Sequence, residues 1–583
     1  MSDKIVSFYR ARLANEKGAI RKDWGGKVSI ALAYPNFYRV GMSNLGFQVV
    51  YQILNRRDDV VAERVFLPDD HETPLYRETG KGLLSMETQS MLHTFDMVAF
   101  SLSFENDYPN ILKILELGKI PLLAQERDDH HPFIMGGGIA AFLNPEPLAI
   151  FFDLFFLGEA ELALDAFIQN FMDAGSNQGT RQEILKKLAR SVKSVYVPSL
   201  YHVEYHEDGT IGNRTPIESD IPETVQISRI DPSHFPVNRS CIISPETTFA
   251  QKVLVELGRG CGRSCRFCAA GYVYRPPRIH GESDLTSAIH SVMEAVQDMG
   301  LLSASVMDTP GIETITREIL EGGGRFSVSS LRADLLTPEM LDLLRHTGQR
   351  SLAIAPEAGS ERLRKVINKH LTFDQIIQAV RMIATAEDFN LRLYFLVGLP
   401  TETQDDIEAT LDLVKKIKHH MVKESRARGR IGRIHLSVNC FIPKASTPFQ
   451  WFPMEDVSSL KEKQKWLKKA FAKEGGVDIT FDVPKWAYVQ ALLSLGDRRV
   501  GAMLLAAHQN NGDWTKTFRF SELNPDFFVY RPKGFNEILP WDFIDHGIQK
   551  EFLIKEYKLA LKEKESDICH VGECERCGVC KVS

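Results

Sequence analysis

Short apolar runs alternate with longer amphipathic stretches along most of the chain, in two blocks. In the first, from Lys27 to about Gly175, the runs are VSIALAYP, VVAERVFLP, MVAFSLSF, PFIMGGG and LFFLGE. Apolar strands separated by helical periodicity predict a parallel sheet with helices on both faces. Several runs end in Pro, Ser or Gly, which sets turn residues at strand C-termini, where doubly wound sheets bind ligands. The second block, from about Lys252 to Pro448, offers KVLVELG, SASVMD, RFSVSS, SLAIAPE, LRLYFLVG and IHLSVNCF. Six strand–helix units in series predict an incomplete (β/α) barrel, whose active residues sit at strand C-termini. Cys261, Asp308, Arg332, Glu357 and Gly398 fall there.

The two blocks are joined by a segment where the alternation lapses. SVYVPSLYHVEYHEDGTI predicts a hairpin turning at Asp208-Gly209, and IPETVQISRIDPSHFPVNRS has a linker's proline and polar content. The expected fold is therefore α/β: a Rossmann-like doubly wound sheet (1–180), a hairpin and linker (181–249), a partial (β/α)6 barrel (250–455) and an α+β C-terminal region (456–583). The last opens with a lysine-rich helix and ends in cysteines.

Composition narrows the class. The chain has 583 residues, enough for three or four domains, and is 44% hydrophobic and 25% charged, as globular chains are. No apolar run approaches the ~18 residues of a membrane span. The longest, PLAIFFDLFFLG, is broken by Asp153, and the N-terminal residues carry charges where a signal peptide is apolar. A cytoplasmic protein without a membrane partner is expected. The net charge of -6 gives no global attraction for nucleic acid. Seven of the nine cysteines fall in two short clusters, and in a reducing compartment clustered thiols point to metal.

The first cluster, Cys261, Cys265 and Cys268 in VELGRGCGRSCRFCAAG, has Cys-x3-Cys-x2-Cys spacing. Three thiolates suit three irons of a cubane 4Fe-4S cluster and leave the fourth open to chelate S-adenosylmethionine (SAM). Buried thiols, or zinc completed by a distant histidine, are the alternatives. With Phe267 before the third cysteine, these residues resemble the radical SAM superfamily. SSLRAD, PEAGSERL, LYFLVGLPTET and FIPKASTPFQW extend the resemblance through the barrel, toward the branch with methylthiotransferases and cobalamin-dependent members. The resemblance implies that Arg332 contacts the SAM carboxylate or ribose, that Glu357 hydrogen-bonds to SAM, and that Gly398 and Pro400 line the adenine side. Where the superfamily usually has Gly-Gly-Glu after the second strand, this chain reads SASVMDTP, and Asp308 is the expected substitute.

The N-terminal block, with SLS at 101–103, GGG at 136–138 and GEAE at 158–161, resembles the cobalamin-binding domain of many radical SAM proteins. Ser101, Ser103, Gly136 and Gly137 are its expected corrinoid contacts. The loop YPNFYRVGMSNLGF lacks the histidine that ligates cobalt in some such domains; the alternative is a sheet that only packs on the barrel.

The tail CHVGECERCGVC sets Cys569, Cys574, Cys577 and Cys580 in Cys-x4-Cys-x2-Cys-x2-Cys spacing, which suits a second iron–sulfur cluster or zinc. Together with SLGDRRVG and LPWDFIDHGI it resembles a bacterial family of radical SAM proteins with no established reaction. The stretch 415–433 has eight Lys or Arg and one Glu, either a phosphate-contacting patch or a solvated helix end. His419, His420 and His435 lack the spacing of a metal site.

The resemblance thus implies an enzyme that reductively cleaves SAM to a 5′-deoxyadenosyl radical, with an electron donor such as flavodoxin or ferredoxin. Methyl or methylthio transfer to RNA or another large partner is the expected chemistry. The alternatives are a corrinoid methyltransferase with SAM as methyl donor and a non-catalytic iron–sulfur or zinc scaffold.

Overall fold

The computed structural model describes residues 2–175, 179–231, 234–249, 251–386, 389–429 and 431–580. All five apolar runs of the first block are strands: β1 (Val28–Phe37), β2 (Val60–Leu67), β3 (Met97–Ser101), β4 (Phe133–Gly137) and β5 (Leu154–Phe156). They form one sheet in the order β2-β1-β3-β4-β5, all parallel, extended by an antiparallel β6 (Val195–Tyr196). Ile30, Ala31, Leu32 and Ala33 of β1 are fully buried, as a central strand covered on both faces requires. The order reverses between β1 and β3. At such a switch point successive connections leave on opposite faces, and a crevice opens beyond the strand C-termini. The helix Leu45–Arg56 starts at this crevice, where the Asn44 side chain caps it by accepting from Phe47 N at 2.9 Å.

The hairpin follows as expected, β7 (Tyr201–Tyr205) against β8 (Ile211–Pro216), with Gly209 at φ 85° in the turn. The segment after it is fastened to both halves of the molecule: Lys17 pairs with Ile243 and Arg239 with Val255.

The second block forms a row of seven parallel strands. β9 (Val253–Glu256), β10 (Asp298–Leu302) and β11 (Arg325–Val328) make one sheet, and β12 (Ser351–Glu357), β13 (Asn390–Val397), β14 (Ile434–Cys440) and β15 (Val477–Phe481) another. A parallel bridge from Leu331 to Ile354 joins the two. Two elements differ from expectation. The second strand is DMGLL, not SASVMD, which becomes a loop and a short 3-10 turn (Val306–Asp308). The row also gains β15, beyond the six units expected.

After β15 the chain returns to the N-terminal sheet. The Asn144 side chain donates to the Ser494 and Gly496 carbonyls, and Arg498 pairs with Glu146 at 2.9 Å. The helix Lys550–Leu561 then leads to the cysteine tail. Among the described residues no helix is long and apolar enough to cross a membrane.

Candidate active site between the two sheets

The chain leaves β9 through a short ladder, Gly258 and Arg259 against Arg278 and Ile279, before entering the cysteine loop. Gly260 sits at φ 85°, and a side chain there would meet the Tyr274 carbonyl at 2.7 Å. The loop is over-determined by polar contacts. Arg266, with no exposed surface, donates to the Lys365, Val366 and Lys564 carbonyls at 2.8–3.0 Å and to Glu556 at 3.1 Å. Asn368 Nδ2 and Tyr272 Oη each donate to the Ser264 carbonyl at 3.1 Å. Phe267 packs against a small separate core with Ala358, Leu363 and Phe449, which fixes the turn before the third cysteine.

This frame presents Cys261, Cys265 and Cys268 half-buried. Burial pushes the Cys265 thiol up to about 12 and raises that of Cys268. A bound metal centre would supply the positive charge that favours the thiolate forms of Cys265 and Cys268. The thiols act on one another electrostatically, yet among the described residues no three cysteine sulfurs lie within 4.8 Å of one another. Three thiolate donors fit an iron–sulfur cluster.

Beside the loop a cavity of about 520 Å³ opens between the two sheets. Asn44, Ser101, Ser103 and Gly137 line it from the switch point of the N-terminal sheet, and Asn44 Nδ2 donates to Ser103 Oγ at 3.2 Å. Gly260, Tyr274 and Ser303 line it from the ends of β9 and β10. Gly136 instead faces the Phe155 ring, 2.6 Å from where its Cβ would be, and serves packing. Acidic groups gather round Arg259, which lies 3.4 Å from Glu159, 2.6 Å from Glu161 and 2.9 Å from Glu256; Arg278 adds a second ion pair to Glu159. Burial alone would raise the Glu159 carboxyl, but Arg278 and Arg259 outweigh it and hold it below the usual range.

Of the expected SAM contacts, Asp308, Arg332 and Glu357 lie by the loop, and neither they nor Gly398 and Pro400 line the cavity. Asp308 forms an ion pair with Arg263, inside the cysteine loop. Arg332 pairs with Asp334 at 2.9 Å, and its Nη2 lies 3.4 Å from the Lys369 and His370 carbonyls. Glu357, at φ 65°, meets Lys369 Nζ at 3.1 Å. Lys369 also acts on the Cys265 thiol, so one half-buried cation links the SAM-binding candidate Glu357 to the cysteines. Gly398, at φ 83°, donates its N–H to Glu402 at 2.8 Å beside the buried Pro400. The tail cysteines lie against the loop, with Cys577 buried.

Sequence reasoning missed Arg266, Asn368 and Lys369, because nothing in their spacing ties them to the cysteines. The basic stretch is largely engaged: Lys418 faces Glu474 at 3.5 Å and Arg428 donates to the Thr385 carbonyl at 2.9 Å. Arg430 lies outside the described residues.

Comparison with known proteins places these features. Residues 46–198 match the model described as "Radical SAM proteins, N-terminal", and residues 255–414 match "Radical SAM superfamily". An uncharacterised protein of Methanocaldococcus jannaschii is 30% identical over 478 residues, 82% of this chain and 90% of that protein. A tRNA-2-methylthio-N(6)-dimethylallyladenosine synthase of Cereibacter sphaeroides is 24% identical over 253 residues; the match spans 41% of this chain and 55% of the synthase. Among solved structures, the cobalamin-dependent SAM radical enzyme OxsB aligns over 92% of this chain and 80% of its own, with a TM-score of 0.44 and 13% identity.

Proposed function

The chain belongs to the radical SAM superfamily and is a radical SAM enzyme; on that premise we propose that it transfers a methyl or methylthio group to a large substrate, an RNA or another macromolecule. Membership sets aside the non-catalytic scaffold and implies a 4Fe-4S cluster and SAM as cofactors. Cys261, Cys265 and Cys268 would hold the cluster, which supplies the electron that cleaves SAM. The residues of this chain do the rest. Arg332, Glu357 and Lys369 offer fixed charges beside the loop for the polar ends of SAM. The strap of contacts from Arg266, Asn368 and Tyr272 keeps the thiols in place, so little reorganisation accompanies the reaction.

The observation that carries the reading is the cavity beside the cysteine loop, walled on its far side by the switch point of a doubly wound sheet. A corrinoid is a second occupant that this geometry favours: Ser101, Ser103 and Gly137 face the cavity from the strand ends, where such sheets hold ligands. A tail cluster held by Cys569, Cys574, Cys577 and Cys580 completes the proposed cofactor set. The likeness to a tRNA methylthio synthase supports RNA as the large substrate. Nucleoside mass spectrometry of a deletion strain tests this: loss of one modified nucleoside is expected, and an unchanged RNA profile beside a changed small-metabolite profile would overturn it.

A further inference from the structure

The C-terminal cysteine run is built onto the loop that carries the first three cysteines. Cys569 donates its N–H to the Gly262 carbonyl at 2.7 Å. A Cβ on Gly262 would stand 3.3 Å from the Cys569 carbonyl oxygen and 3.6 Å from its Cβ, so glycine there lets the two runs lie backbone against backbone. With about 3.8 Å between consecutive Cα atoms and a single N–H···O link to Gly262, the Cα atoms of Cys261 and Cys569 are at most roughly 10 Å apart. The approach of the tail is pinned as firmly. Ser566 exchanges hydrogen bonds with Asn368, the residue that also holds the Ser264 carbonyl, and donates to Glu556 at 2.8 Å.

One side chain joins both runs. Arg275 is 3% exposed and donates to Ser264 Oγ at 2.6 Å and to the Gly271 carbonyl at 2.7 Å. The groups acting on its charge include Tyr272, Cys577 and Cys569. Among the described residues no carboxylate forms an ion pair with it, and a buried guanidinium without a counter-anion is strongly unfavourable. An iron–sulfur centre held by four thiolates is an anion of the right kind. The run is also sided. Cys577 is buried toward Arg275, whereas residues 570–573 are exposed and Cys580 lines an open cavity of about 830 Å³.

Resting on the reading of the first loop as the SAM-cluster site, we propose that the tail cluster is the entry point for electrons, relaying them one at a time from a docked low-potential donor to the cluster of Cys261, Cys265 and Cys268. No bond forms or breaks. A reduced flavodoxin- or ferredoxin-class protein loses one electron at the exposed face of the tail, and the first cluster gains one at the buried face. Arg275 is a positioning residue that serves as counter-cation to both sites.

The test uses the full-length protein, reconstituted anaerobically, with rapid-freeze electron paramagnetic resonance following reduction of the first cluster by reduced flavodoxin and, separately, by dithionite. Wild type should hold two clusters with mutually broadened signals when reduced. Cys577→Ser, or Cys574→Ser on the exposed rim should the buried change unfold the chain, should slow reduction by flavodoxin at least tenfold and leave dithionite reduction within twofold. Arg275→Gln should shift the midpoint potentials of both clusters downward. A tail that binds iron and sulfide but whose loss leaves flavodoxin reduction unchanged would overturn the relay and keep the second cluster. Zinc in the tail would overturn both. A first cluster whose signal does not change on adding SAM would instead remove the premise.

Discussion

Arg266 carries more of the cysteine loop than any cysteine does. It joins the loop to the end of the helix Glu361–Val366 and to Lys564 of the C-terminal region at once, and the carboxylate it pairs with, Glu556, is buried with it. Arg266→Ala leaves that carboxylate without its cation, at a cost of about 3–5 kcal/mol. The variant should unfold at correspondingly lower urea and retain less than half the wild-type iron, read by chemical denaturation and iron per chain; unchanged stability would contradict the role given to it. Glu159 yields a pH signature. Its folded carboxyl lies below the ordinary value because Arg278 and Arg259 overcome burial, so its contribution is full above the unfolded value and is lost as pH falls through and below that range. Between about pH 5 and about pH 3, wild type should lose thermal stability more steeply than Glu159→Gln; parallel curves would refute this. The cysteines were legible from spacing alone. Arg266 was not, since an arginine between cysteines reads as a solvated charge until its partners, about 100 and 300 residues away, are in place.

At the scale of elements, strands buried on both faces were readable wherever apolar runs were continuous, as in β1 to β5. DMGLL was passed over because it opens with Asp298 and has Gly300 at its centre, and glycine usually weakens a strand. Here Gly300 leaves room for Leu254 of β9, whose Cδ2 would stand 2.7 Å from a Cβ at this position. The shift places Ser303 and Ala304 at the strand end, on the cavity wall. β15 alternates half-buried and exposed positions, and so lacked the continuous run that marked its neighbours. The connection from β1 to the helix Leu45–Arg56 sets the chemistry of any corrinoid. It offers the cavity Asn44, Leu45 and Gly46, and among the described residues no histidine lines the cavity. Protein loaded with cobalamin and reduced to Co(II) should show no superhyperfine splitting from a protein imidazole in its electron paramagnetic resonance spectrum; splitting that disappears in ligand-free controls would contradict the assignment.

At the scale of the molecule, the cavity is assembled from the strand C-termini of the N-terminal sheet, the start of the cysteine loop and the end of β10, segments spread along the chain from Ile30 to Ala304. No local pattern announces such a site, whereas the cysteines that flank it do. The C-terminal region closes the arrangement from two sides, bracing the N-terminal sheet through Asn144 and Arg498 and the cysteine loop through Lys564 and Ser566. The central claim is that this assembly cleaves SAM reductively at the cysteine loop. Its most direct test is anaerobic product analysis with SAM and dithionite, comparing wild type with the variant in which Cys261, Cys265 and Cys268 are all Ala. Wild type should form 5′-deoxyadenosine and methionine in equal amounts, and the variant at least a hundredfold less. Equal product from both, or S-adenosylhomocysteine as the sole product of wild type, would contradict the account.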